Sequence, residues 1–226
     1  MTHNSSTTSN HHYGKVNMSV RTDRNAEETG VPSNVLLLTS AADGCAATAC
    51  RELSERTPPE QSHVILATGL QSPRERLDDW DDQVGVRPAE TTVVDVATAT
   101  RSAAASAGGA PDPLDGAAGP GGWADATVER VPEGDLLGLG ETLDTALSRS
   151  DRPTTLCMRS VSDLLQSADL ETVFRFLEVL TRNVERAGGV AHYHLTTDVH
   201  DPETVETLEV LFDAVLDLRE DTPADR

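Results

Sequence analysis

Val35-Leu36-Leu37-Leu38, then Thr39-Ser40-Ala41-Ala42-Asp43-Gly44, then Cys45-Ala46-Ala47-Thr48-Ala49-Cys50-Arg51-Glu52-Leu53, reads as a buried strand, a small-residue turn and a helix. Four apolar residues in succession leave the strand no solvent face, so it belongs inside a sheet covered on both sides. A helix starting over Gly44 to Ala47 presents unpaired backbone N–H groups and a positive dipole end, in principle an anion site.

The same alternation continues along the chain. The first helix runs to Arg56 and stops at Thr57-Pro58-Pro59, where two prolines forbid continuation. His63 to Thr68 is a strand, followed through Gly69 and Ser72-Pro73 by a short polar helix ending near Trp80; Thr91 to Val96 is a third strand. Residues 97–126, rich in Ala, Gly, Pro, Ser and Asp, read as a flexible solvated insertion, with Trp123 at its edge as the residue able to anchor it. Leu136, Leu139, Leu143, Ala146 and Leu147 recur at helical spacing, and Thr154 to Met158 is a buried strand. Asp169 to Arg186 carries the strongest helical stripe, Leu170, Val173, Phe174, Leu177, Leu180 and Val184, widened by Phe176 and Val179 as further core. Gly188-Gly189 stops that helix, Val190 to Leu195 is a strand, Asp201-Pro202 caps and starts another helix, and Ala214 to Leu218 closes as the last strand. Strands alternating with helices imply an α/β domain with a parallel, doubly covered sheet.

Composition narrows the class. The 226 residues suffice for one α/β domain plus tails. Residues 1–30 and 222–226 are polar and expected to be disordered tails, with the domain spanning 31–221. With 18 basic and 38 acidic residues the net charge is -20, which argues against direct nucleic-acid binding and anionic membranes. Lys15 is the only lysine, and arginine makes up the rest of the basic residues. That balance resembles proteomes of salt-accumulating haloarchaea, where molar salt screens self-repulsion. Cys45, Cys50 and Cys157 are an odd number at no metal-ligand spacing, as expected of reduced cytoplasmic thiols. No signal peptide or membrane span is apparent.

At Arg159-Ser160-Val161-Ser162-Asp163-Leu164-Leu165 the chain resembles RecA-like P-loop ATPases of the KaiC and GvpD group, especially short haloarchaeal members. Phe174-Arg175-Phe176-Leu177, Ala187-Gly188-Gly189-Val190 and Leu211-Phe212-Asp213 extend the likeness. It implies a three-layer RecA-like domain, with a mostly parallel central sheet and helices on both faces, but with degenerate Walker motifs. If Gly44 is the last glycine of the P-loop, Thr39 replaces the first glycine, Cys45 the phosphate-binding lysine and Ala46 the Mg²⁺-binding hydroxyl. Arg159 stands where the family places the Walker B aspartate, and Thr68-Gly69 where a carboxylate polarises the attacking water. Each exchange removes charge stabilisation worth orders of magnitude in rate, so no catalytic residue is assigned.

The expectation is therefore a catalytically inactive domain, a cytoplasmic regulatory or protein-interaction (signalling) module of a halophilic archaeon with a protein partner or as a homo-oligomer. The alternative is a nucleotide- or anion-binding protein, a weak ATPase completed by a neighbouring subunit. Its remnant ATP or anion site would be Asp43, Gly44, Cys45, Ala46 and Arg159, unless Arg159 pairs with a carboxylate such as Asp43 or Asp163. His192 and His194 share a strand face and, with Asp198 and His200, form a candidate metal set, but structural histidines are the preferred reading and no metal or other cofactor is expected. His11 and His12 are at most an adventitious contact. Cys45 or Cys50 as a redox-sensitive thiol is a third reading, set against ordinary packing because no base lies at readable spacing.

Overall fold

A computed structural model describes residues 19–22, 32–40, 45–69, 71–97, 122–159 and 161–219. Strands β1 (Ser19–Thr22), β2 (Asn34–Thr39), β3 (His63–Thr68), β4 (Glu90–Ala97), β5 (Thr127–Pro132), β6 (Thr154–Met158), β7 (Val190–Thr196) and β8 (Ala214–Asp217) form one sheet in the order β1-β8-β2-β7-β6-β3-β4-β5. All neighbours are parallel except β1, which runs antiparallel to β8. The helices are α1 (Cys45–Ser54), α2 (Pro73–Gln83), α3 (Leu136–Ser148), α4 (Val161–Ser167), α5 (Leu170–Arg186) and α6 (Pro202–Glu209).

Alternation along each strand divides the core into two layers. Leu36 and Leu38 of β2, Ile65 and Ala67 of β3, Leu156 and Met158 of β6, and Tyr193 and Leu195 of β7 pack with residues of α3 to α6. On the opposite face, Val35 and Leu37 meet Ala49 and Leu53 of α1, while Val64, Leu66 and Val93 meet Leu77 and Trp80 of α2. The domain is thus a three-layer α/β unit with a mostly parallel sheet.

Local signals place α2, α5 and α6 where the sequence put them, whereas α4 was not read as a helix. Ser72 and Glu75 form a capping box at α2; Asp169 and Asp201 cap α5 and α6 by accepting from the N–H groups of Thr172 and Thr204. Gly188, at φ +66, adopts the left-handed turn that ends α5, its N–H donating to Glu185 O and that of Gly189 to Val184 O. Phe176 does pack against the core, but Val179 is 56 % exposed and lies outside the stripe.

Two strands depart from the expectation. Ser19–Thr22, inside the segment expected to be disordered, forms β1 on the edge beside β8. Thr127–Pro132 forms β5 on the other edge, where Val131 is the one fully buried residue, so no apolar run marked it. Trp123 does anchor the approach to β5: it is buried, its indole N–H donates to Asp81 at 3.0 Å, and the Arg87 guanidinium lies 4.1 Å above its ring. Most of the expected insertion lies outside the described residues.

Candidate functional site

The carboxyl ends of the strands are where an α/β sheet places ligands, above all where neighbouring strands send their connections to opposite faces. Two such points occur here. After β2 the chain enters α1 on one face, and after the adjacent β7 it enters α6 on the other; β3 and β6 diverge likewise into α2 and α4. β2 and β6, the strands carrying the small-residue turn and Arg159, lie two strand spacings apart, about 10 Å.

Of the remnant site, Asp43 and Gly44 lie outside the described residues, and Cys45 and Ala46 open α1. Thr39 is buried at the end of β2, its hydroxyl donating to Leu195 O and its carbonyl accepting from the Thr197 hydroxyl. Thr68 ends β3 with its hydroxyl buried and unpartnered among the described residues. Arg159 leaves β6 toward α2. Its Nη1 donates to Asp79 at 3.2 Å and its Nη2 to Gln83 at 3.5 Å. The carboxylate paired with Arg159 is therefore Asp79, a residue the sequence reading did not single out.

Beneath these ends, on the α1 and α2 face, lies a polar cluster between two patches of aliphatic core. The Cys50 sulfur of α1 is 3.5 Å from that of Cys157 on β6 and 3.1 Å from His192 Nε2 on β7; the Cys157 sulfur is 3.8 Å from His194 Nε2. All four donor atoms lie within 4.8 Å of one another, and all four residues are buried. Parallel pairing sets Cys157 opposite His192, and the two-residue strand period brings His194 to the same face. The two histidine rings meet edge to face at 5.5 Å. Asp198 and His200 do not join the set: the partners of the histidines are thiols.

A buried cation completes the cluster. Arg76 of α2 is 1 % exposed, and its Nη2 donates to the Cys157 sulfur at 2.9 Å and lies 4.0 Å from that of Cys50. Desolvation works against its charge, but the two sulfurs outweigh it and hold the guanidinium pKa above its usual value. Burial likewise pushes the Cys157 thiol up, yet the Cys50 contact and the cations of Arg76 and Arg159 more than compensate and bring it down to about 5. Desolvation keeps His194 neutral, its pKa lowered to about 4. An anionic sulfur and a neutral imidazole are the protonation states that bind soft or borderline metal ions.

Sequence reading found the shared face of His192 and His194 but not their companions. Cys50 and Cys157 are 107 residues apart, so no spacing rule links them, and Arg76 gave no signal.

Fold and cluster together define a three-layer α/β domain with a buried thiol–imidazole centre beneath the carboxyl ends of its strands. The chain belongs to DUF7504, a family of unknown function whose model matches residues 32–218. No curated protein matches it.

Proposed function

We propose that this domain is a non-hydrolysing relative of RecA-like ATPases and serves as a regulatory or protein-interaction module in the cytoplasm of a halophilic archaeon. The observation that carries this reading is Arg159. The likeness calls for a magnesium-holding carboxylate at the end of β6, and the residue there is a cation bonded to Asp79 and Gln83. A fixed guanidinium repels a dication rather than binding it. Lys15 is the only lysine of the chain, so no other ammonium is available for the phosphate-binding position, which carries Cys45, and this supports the same conclusion.

The second reading, a metal-free nucleotide or anion binder, draws support from the divergence of β2 and β7 at the carboxyl edge, beside the start of α1. Against it, Arg159 spends its hydrogen bonds on α2.

Melting the full chain in molar KCl with about 1 mM ATP, with and without Mg²⁺, separates the two, because a ligand present at a hundred times its Kd adds about 2.7 kcal/mol of stability. An unchanged melting temperature and no phosphate release are expected. A rise without Mg²⁺ would favour the anion binder, and a Mg²⁺-dependent rise with turnover would overturn the proposal.

A further inference from the structure

We propose that Cys50, Cys157, His192 and His194 form a closed four-ligand site for a zinc-class divalent ion, which fastens α1 to β6 and β7. This does not depend on whether the domain handles nucleotides.

The geometry is the first argument. A tetrahedral site with zinc–sulfur bonds near 2.3 Å and zinc–nitrogen bonds near 2.0 Å has edges of about 3.8 Å between sulfurs, about 3.5 Å from sulfur to nitrogen and about 3.3 Å between nitrogens. The separations here are 3.5 Å for sulfur to sulfur, and 3.1 and 3.8 Å for sulfur to nitrogen. Both imidazoles turn Nε2 to the sulfurs, leaving Nδ1 to carry the proton when Nε2 donates its lone pair. The ligands also come from three elements, so the cage is held by the fold rather than by one flexible loop.

Surroundings supply the second argument. The cluster lies between Leu37 and Leu53 on one side and Leu66 and Trp80 on the other. Buried polar groups need partners, and a thiol is a weak one. One ion would satisfy two sulfurs and two imidazole lone pairs together. Two thiolates neutralise a divalent ion, and the Arg76 N–H at 2.9 Å from Cys157 becomes a hydrogen bond to a metal-bound sulfur, the kind of outer contact that orients ligands. Four protein donors leave no open coordination position, which makes the ion structural rather than catalytic.

The test uses the full chain, reduced and desalted into molar KCl after production with added zinc. Elemental analysis is expected to find about one zinc per chain, and chelation to lower the melting temperature. Cobalt(II) added to the metal-free chain should give sulfur-to-cobalt charge transfer and the strong visible bands of tetrahedral coordination. Cys157→Ser and His192→Asn should each weaken binding by at least about tenfold. A His11→Ala/His12→Ala double variant should keep its metal; loss there would assign the ion to the tail and overturn the proposal. If the cluster variants fail to fold, the cobalt spectrum of the unaltered chain decides: absence of the thiolate band overturns the site. Zinc near zero with no change in melting on zinc addition overturns it as well. A Cys50–Cys157 disulfide that forms in air while added zinc is ignored would replace the metal site with a redox pair.

Discussion

Replacing Trp123 by alanine tests how the long connection after β4 is tied down before β5. The indole packs with Leu77, Trp80 and Val93, donates to Asp81 and lies under Arg87, whose Nη1 also donates to Gly122 O at 2.7 Å. Truncating a buried tryptophan costs about 3–5 kcal/mol, and a loss of at least about 3 kcal/mol is expected here. Trp123→Phe keeps most of the apolar contact and loses the N–H bond to Asp81. That carboxylate is 39 % exposed and still holds Arg87, so this loss should be about 1 kcal/mol. The assay is urea unfolding in molar KCl followed by circular dichroism. The chain has two tryptophans, so fluorescence in either variant reports Trp80 alone. Equal m-values with the two costs in that ratio would support the anchor. A cost below about 0.5 kcal/mol for Trp123→Ala, the level of an ordinary surface change, would refute it.

Other perturbations probe the rest of the domain. Tyr193 is buried with its hydroxyl donating to Asn34 Oδ1 at 3.0 Å, so Tyr193→Phe strands that oxygen and should cost about 1–3 kcal/mol in the same unfolding assay. A double-mutant cycle with Asn34→Ala should return a coupling of about 0.5–3 kcal/mol. Desolvation lowers the pKa of His63 below 6.5, partly opposed by Glu90, so the unfolded chain takes up this proton more readily. The stability tied to His63 is complete above pH 6.5 and declines as pH falls toward the folded pKa, with a slope of at most about 1.4 kcal/mol per pH unit. His63→Gln, placed to keep the bond to the Thr92 hydroxyl, should flatten that part of the urea-midpoint profile. Asp201→Ala removes the acceptor for Thr204 N–H and should lower stability by about 0.5–2 kcal/mol in thermal melts, whereas Asp201→Asn should retain most of it.

The order of the central elements was legible because β2, β3 and β6 are short, wholly buried runs and α2, α5 and α6 carry local start or stop signals. His63–Thr68 and Thr154–Met158 were read to the residue, and Asp169, Gly188 and Asp201 punctuate α5 and α6 as their chemistry requires. β5 was missed because it buries little, and β1 because the pairing of an edge strand is decided by the neighbour it meets. The partner of Arg159 was missed for a related reason: Asp79 is one of many acidic residues on a polar helix, and only the packing of α2 over β6 selects it.

By itself, the sequence determined the order of the central strands and of most of the helices, and that the sheet is covered on both faces, since periodicity, capping and residue identity are local properties. Tertiary structure alone decided that Cys50, Cys157, His192 and His194 converge around Arg76. Sheet register and the seating of two helices bring together side chains far apart along the chain, and those choices follow from the packing of the whole core rather than from any stretch within it.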